Sequence, residues 1–425
     1  MKSRVVLSLI AAWALLLSTF AVSVETDRTW YLAGEAMKIS IKADDAIIAY
    51  AELCDTQGLA AGVVVGLKEG KGSGVIELPS YLHSGYYVLS AYTRDNANVS
   101  HQLVAIVNPL RKSADDDIEW VMDDSCWEDT KGSGTSVSLP DRTQKCLPPL
   151  CPETEGHIIK ARVKNVYDGH TFKASQIRPS LSIIGKQVHY FEGNMVNDSI
   201  AVFYIYGIHG KQPLVLSAVS STGVSLPIEM ISPFATLLPK QLPHLVFHYK
   251  RSEVEARSMD MQRHQLAITP AKRELKIGEY EDATAEDGVP LDYDETAYGT
   301  KPDLSYNLDE YRQFFTIREV LLEYVLCVSH RRNNGVSQLV VRKEDAPYDT
   351  TWPTLVLIDG MPVINVDRLL AYDARRIHYI NIYGGQYIFG HGVYNGILSF
   401  VTRSGRLTNY PVEPNMQYLV YQFPE

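Results

Sequence analysis

The sequence has 425 residues, 45% hydrophobic, 21% charged and 10% aromatic, with 28 Gly, 21 Pro and 5 Cys. That composition excludes collagen, a long coiled coil and wholesale disorder, and the length allows about three units that each bury a core. Lys+Arg of 40 against Asp+Glu of 50 gives a formal charge of −10 with no compensating basic patch, so no nucleic-acid partner is expected.

At the N-terminus, Lys2 and Arg4 precede an apolar run from Val5 to Leu17, and Ala21-Val22-Ser23 places small residues where a signal peptidase reads. Residues 1–23 are therefore read as a secretory signal, cut between Ser23 and Val24. The alternative is a retained anchor, because Val5 to Val22 approaches the roughly 20 apolar residues of a spanning helix. No later run is long enough, so no transmembrane helix is expected after cleavage.

Residues 24–110 read as a β-sandwich. Met37 to Lys42 alternates apolar and polar, the period of a strand with one buried face, and Ile47 to Leu53, Gly62 to Leu67, Gly74 to Leu78 and Gly85 to Tyr92 give further strands between turn residues. The run Gly70-Lys71-Gly72-Ser73-Gly74 lacks the ending of a phosphate loop and reads as a hairpin turn.

Residues 111–155 begin acidic, at Asp115, Asp116, Asp117, Asp123 and Asp124, and become rich in Gly, Ser and Pro; they read as a linker, without the ligand loop of a calcium site. Cys126, Cys146 and Cys151 fall there, and one disulfide among them suits export, with the pairing open. Cys54 and Cys327 complete the five thiols. Residues 156–275 read as a second sandwich, with strands at Leu181 to Ile184, Ala201 to Tyr206, Leu214 to Val219 and Leu245 to Tyr249. Residues 276–305 are a second, acidic linker.

From 306 to 410 the pattern changes. Thr316 and Glu319 form a capping box, with Phe315 expected to staple onto Val320, and Ile317, Val320, Leu321, Tyr324 and Val325 share a helix face. Leu339 to Val341 and Leu355 to Ile358 read as strands. Asp359-Gly360 is a hairpin signal, Asp367 is expected to cap a short helix, and Ile377 to Ile382 and Ile397 to Thr402 complete a small α/β unit. Residues 411–425 read as a C-terminal tail. The expected fold is thus mainly β: two tandem sandwiches followed by a small α/β domain.

Two resemblances attach to these stretches. Asp359-Gly360, Ile377-x-x-Ile380-x-Ile382-x-Gly384, Tyr387-x-x-Gly390 and Tyr394-Asn395-Gly396-Ile397-Leu398-Ser399-Phe400-Val401-Thr402-Arg403-x-Gly405 resemble the plug domain of TonB-dependent outer-membrane receptors. Plugs carry no catalytic residues, and the resemblance implies a plug-like domain here without the receptor's barrel, since the chain ends at Glu425. Tyr31-Leu32-Ala33-Gly34-Glu35 and Leu78-Pro79-Ser80-Tyr81-Leu82-x-Ser84-Gly85-Tyr86-Tyr87 look like macroglobulin-type sandwich domains of exported Bacteroidota proteins. The thioester motif Cys-Gly-Glu-Gln of the protease-trapping macroglobulins is absent.

Nucleophile elbow, zinc-protease, Walker and dinucleotide motifs are all missing, and His244 and His248 lie in a run that reads as a strand. No catalytic residue, cofactor or metal is expected. The 26 Tyr concentrate partly in the α/β segment, where Tyr379, Tyr383, Tyr387 and Tyr394, with Gly390, form the candidate partner surface; plain strand packing is the competing explanation. The expectation is a non-enzymatic exported module in the periplasm or at the outer membrane, docking an outer-membrane or envelope protein. The alternative is an accessory protein of an uptake system that holds a glycan or peptide, and an enzyme with an unfamiliar site stands third.

Overall fold

The computed structural model describes residues 22–424 apart from 45, 95–98, 112–115, 121–152, 154–155, 185–187, 249–250, 269–293, 334, 343–351, 391, 406 and 408–409. The segment up to residue 21 read as a signal, the three clustered cysteines and most of the stretch read as a second linker lie outside the described residues.

Ser23–Thr26 (β1), Trp30–Leu32 (β2), Ala36–Lys42 (β3), Ile48–Cys54 (β4), Leu59–Gly66 (β5), Lys71–Glu77 (β6), Gly85–Tyr92 (β7) and Val99–Val107 (β8) build the first sandwich. Its sheets run β1-β3-β6 and β2-β8-β7-β4-β5. Alternation along β3 turns Met37, Ile39 and Ile41 inward onto Leu53, Leu89, Val104 and Ile106, as the period-2 pattern requires. The glycine run is not a simple turn: Gly72 and Gly74 sit within β6, where a Cβ on Gly72 would lie 2.3 Å from the Gly66 carbonyl oxygen. Glycine is needed where the chain crosses from one sheet to the other at that distance.

Part of the first linker is ordered. Ile118–Trp120 (β9) pairs in parallel with a strand at Leu245–Phe247 and carries Trp120 edge-on to Phe247. The second sandwich contains His157–Val163 (β10), the hairpin Val166–Tyr167 (β11) and His170–Thr171 (β12), Ile177–Ile183 (β13), His189–Glu192 (β14), Asn194–Met195 (β15), Ile200–Ile205 (β16), Gly210–Ser220 (β17) and Ile228–Ile231 (β18), followed by β19 at Leu245–Phe247. The expected all-β reading of 156–275 needs one correction: Arg251–Ile268 is a helix, α1. Val254 and Ser258 are buried, and Arg257 forms a bidentate ion pair with Glu35 at 2.7 and 2.9 Å and lies over Trp30. Among its described side chains, Val254 is buried in a core cluster and Met261 packs partly against it, too few for an apolar stripe to show.

The α/β unit comprises Leu304–Asn307 (β20), Ile317–Glu323 (α2), Val328–Asn333 (β21), Val336–Val341 (β22), Leu355–Ile358 (β23), Met361–Pro362 (β24), Val366–Leu370 (α3), Ile377–Phe389 (β25) and Gly392–Thr402 (β26). Its main sheet runs β20-β25-β26-β23-β24, with β23 parallel to β26. All four residues of β23 are buried, which explains their unbroken apolar run: Val356 and Ile358 face α2 and α3, while Leu355 and Leu357 face the second sandwich. The turn after β23 is of the expected kind, with positive φ at Asp359 and Gly360. The buried Asp359 carboxylate accepts from the Thr402 backbone N–H, the Thr402 hydroxyl and the Leu407 N–H at 2.7, 2.5 and 2.7 Å, tying that turn to the end of β26. The second helix starts differently from the reading above: Asn365, not Asp367, caps α3.

The larger correction concerns the tail. Gln417–Phe423 is a strand, β27, which pairs antiparallel with β17 from Gly210↔Phe423 to Leu216↔Gln417. The second sandwich therefore has sheets β15-β16-β10-β18 and β14-β13-β17-β27, and its final strand arrives only after the α/β unit is complete. The α/β unit is an insertion in the second sandwich rather than a bead after it. Leu419, Tyr421 and Phe423 fill the same core as Leu181, Phe203 and Leu216.

Candidate functional site

The tyrosines singled out in the sequence do not form one open surface. Tyr383 is 0% and Tyr394 6% exposed, packed with Leu355, Leu357, Ile397, Val188 and Tyr190 in the seam between the α/β sheet and the second sandwich. Alternation along β14 is the cause, because it turns Tyr190 and Glu192 toward the β25–β26 hairpin: Tyr394 donates to Glu192 Oε2 at 2.6 Å and its oxygen lies 3.0 Å from that of Tyr190. Burial and the neighbouring Glu192 carboxylate push the Tyr190 hydroxyl up to about 12. Tyr383 donates to the Glu295 carbonyl at 3.0 Å and meets Tyr298 edge-on, so this end of the second linker is packed rather than free. A Cβ on Gly392 would fall 1.8 Å from Glu192 Oε2, which fits a hairpin pressed hard on its neighbour. Tyr379 and Tyr387 are half-buried, and Gly390 is exposed. As a partner surface, the set is corrected: Tyr383 and Tyr394 hold the protein's own parts together.

The open feature lies on the helical side of the unit. The capping box forms as expected, with Glu319 accepting from Thr316 N–H and Thr316 Oγ1 accepting from Glu319 N–H. The staple does not: Phe314 turns toward the core, and Phe315 stands 71% exposed beneath the Arg375 guanidinium, 5.3 Å from its ring. Beside it, Tyr311, Phe314 and Tyr324 wall a shallow recess open to solvent, with Arg312, Arg375 and Arg403 also lining it. Tyr311 and Tyr324 lie 4.6 Å apart and Phe314 and Tyr324 5.5 Å, between centroids. Leu308, Val320 and Ala374 supply an apolar floor. Leu322 and Leu326, on and just after α2, are 67% and 68% exposed.

The three arginines differ. Arg375 is held by Asp373 at 2.9 and 2.8 Å, and Arg403 by Asp309 at 2.6 Å, with His378 3.3 Å from the other Asp309 oxygen. The hydrogen bond from Arg403 holds the Asp309 carboxyl below its ordinary value, and that from Arg375 does the same for Asp373. Arg312 is exposed and makes no hydrogen bond or ion pair among the described residues. Of the residues at the recess, Val320 and Tyr324 were legible as part of the apolar helix face, and the adjacent Phe314 and Phe315 before a helix cap cannot both face one core; the others carried no signal.

A second polar cluster is buried where the sandwiches meet. Tyr50 donates to Glu153 Oε2 at 2.6 Å, Arg94 pairs with Glu153 Oε1 at 2.8 Å, His157 Nδ1 lies 3.2 Å from Oε1, and His157 Nε2 is 2.7 Å from the Tyr421 hydroxyl. Next to it, Glu52 accepts from Tyr92, Thr236 N–H and Leu237 N–H, binding the loop after β18 to the first sandwich. Every member is enclosed and paired within the cluster, so it works as a joint. Among the described residues, no three His, Cys, Asp or Glu side chains meet in a metal-binding group. No described helix is long and apolar enough to cross a membrane.

No family model and no curated protein matches the chain. Among solved structures, it is similar to the BSP domain of a biofilm-associated protein (11% identity, TM-score 0.18, covering 54% of this chain and 32% of the other). It is also similar to Escherichia coli alpha-2-macroglobulin activated by porcine elastase (12%, 0.20, 51% and 20%). A tetra-tandem repeat from the extending region of a large adhesion protein matches at 13% and 0.19, over 50% and 49%. The chain spans about half or less of each. At these scores the likenesses carry no argument, and the sandwich assignment rests on sheet order and cores.

Proposed function

We propose that the protein is a non-enzymatic exported binding or assembly module that docks an outer-membrane or envelope protein through the helical side of its α/β unit. One observation carries this reading: one face of the sheet is sealed by the second sandwich, while on the helical side Phe315 stands in solvent beside an aromatic recess and Leu322 and Leu326 are exposed on and just after α2. Single exposed apolar residues are ordinary, but three large ones on and around one short helix are what an interaction surface would present. The resemblance of 306–410 to receptor plugs supports an outer-membrane partner, and the two sandwiches act as a spacer. The accessory glycan-binding reading draws on another observation, the exposed Tyr204 and Tyr206 of the second sandwich, with Phe191 edge-on to Tyr206 at 5.6 Å.

The docking reading is tested with a Phe315→Ser/Leu322→Ser double variant of the full chain. Both side chains are exposed, so stability is expected to change by no more than about 0.5 kcal/mol each. Retention on native envelopes should fall about 30-fold, the loss of one hot-spot residue. Wild-type retention by the double variant would overturn the reading.

A further inference from the structure

The chain between β18 and β19 crosses from the second sandwich onto the first. From 232 to 244 it has neither helix nor strand, and Pro233, Pro239 and Pro243 deny it a ladder, yet Phe234, Ala235 and Leu237 pack on Ile48, Tyr50, Val64 and Tyr92 of β4, β5 and β7. Phe234 sits over Gly62 of β5 and edge-on to Tyr50, with 6.3 Å between centroids. A Cβ on Gly62 would come within 2.6 Å of the tip of that ring. Ala235 N–H donates to the Tyr92 hydroxyl at 2.7 Å, and the Thr236 and Leu237 N–H groups donate to the two oxygens of Glu52 at 3.0 and 2.5 Å. Three successive amides are therefore held by side chains of the other sandwich, as a bound peptide is held, and not by a ladder of their own.

This docking is strained in two places. Thr236 has φ +57°, in the left-handed region where a β-branched residue is crowded. Glu52 is fully buried, and its partners among the described residues are a hydroxyl and amides, with no cation; burial raises its carboxyl above the ordinary value in spite of them. Lifting the segment relieves both strains, because Thr236 regains its ordinary backbone range and Glu52 regains water. What holds it down is modest, since Phe234, Ala235 and Leu237 are each half-buried.

We propose that residues 232–238 are a latch between the two sandwiches, which opens as a unit while both sandwiches stay folded and uncovers the aromatic strip of Tyr50 and Tyr92 on the outer face of the first. Locally opening segments come from the low-stability end of a fold, where a few contacts rather than a ladder hold the backbone. Gly62 sets the fit of the latch, because its missing side chain is the seat of Phe234. The Glu153 joint shares Tyr50 with the latch and stays closed when it opens. The latch has no residue in common with the docking face of the α/β unit, so the two stand or fall separately.

The test is amide hydrogen exchange of the full chain in rising, sub-denaturing urea, read on peptic fragments. Fragments covering 235–237 should exchange at a rate that urea barely changes, and at least about tenfold faster than those of β4 and β7, whose exchange should quicken with urea as global unfolding does. Gly62→Ala, whose methyl displaces the ring of Phe234, should speed exchange at 235–237 about tenfold with the β4 and β7 rates and the melting temperature unchanged. Thr236→Gly, which removes the crowding at positive φ, should slow it about threefold. Exchange at 235–237 that tracks β4 and β7 through the urea series would overturn the proposal. So would a Gly62→Ala change spread equally over all three segments, or no slowing in Thr236→Gly.

Discussion

Deleting everything from Gln417 onward is expected to melt the second sandwich rather than trim a tail. β27 pairs with β17 along seven register positions, from Gly210↔Phe423 to Leu216↔Gln417, and buries Tyr421 and Phe423 in a core shared with Phe203 and Leu214. Removal would strip the ladder from one edge of β17 and open the core to water. Phe423→Ala alone should cost about 3–5 kcal/mol, the usual range for a fully buried Phe. The measurement is amide hydrogen exchange: protection should be lost along β13 and β17 in the deletion variant and kept along β4 and β7 of the first sandwich. Undiminished protection in β17 would contradict the assignment of β27 as a structural strand.

Glu153→Ala should loosen the joint between the sandwiches at comparable cost. It leaves the Arg94 guanidinium buried with its counter-charge gone and strips Tyr50 and the Ile158 N–H of an acceptor, so a loss of about 3–5 kcal/mol is expected. Burial alone would raise the Glu153 carboxyl, but the hydrogen bond with His157 and the Arg94 charge outweigh it and hold it below its ordinary value of 4.5. The stabilisation is therefore complete above about pH 4.5 and drains away as pH falls through the lower folded value. Glu52 behaves oppositely: burial raises its carboxyl and the Leu237 and Thr236 N–H groups do not cancel it, so protonation as pH falls favours the folded side there. Calorimetric melts of wild type and Glu153→Gln should diverge at neutral pH and converge as pH falls below the ordinary carboxyl value of 4.5. A constant difference across that range would show that Glu153 is not the charged partner of Arg94.

Local structure was largely legible in the sequence. The alternation of Met37, Ile39 and Ile41, the Thr316–Glu319 capping box, the Asp359-Gly360 turn and the doubly buried run from Leu355 to Ile358 each follow from contacts within a few residues. What could not be read depends on distant partners. Nothing near Gln417 says that its strand belongs beside β17, and the tyrosines at 383 and 394 look like any exposed aromatic set until β14 brings Tyr190 and Glu192 against them. The joint is similar: Tyr50, Arg94, Glu153, His157 and Tyr421 come from four separate stretches and share no motif. Phe315 is the informative failure of a local rule. A residue placed to staple a helix stands in solvent, where folding gains nothing from it, and that is what draws attention to the recess beside it.

The most direct test of the docking account is site-specific photo-cross-linking from the full chain in native envelopes, with the photoreactive residue placed at Leu322, Tyr387 or Tyr204 in turn. The account predicts a discrete adduct with an envelope protein from Leu322 and none from the other two. An adduct from Tyr387 or Tyr204, with Leu322 silent, would place the partner on the hairpin or the second sandwich and contradict it.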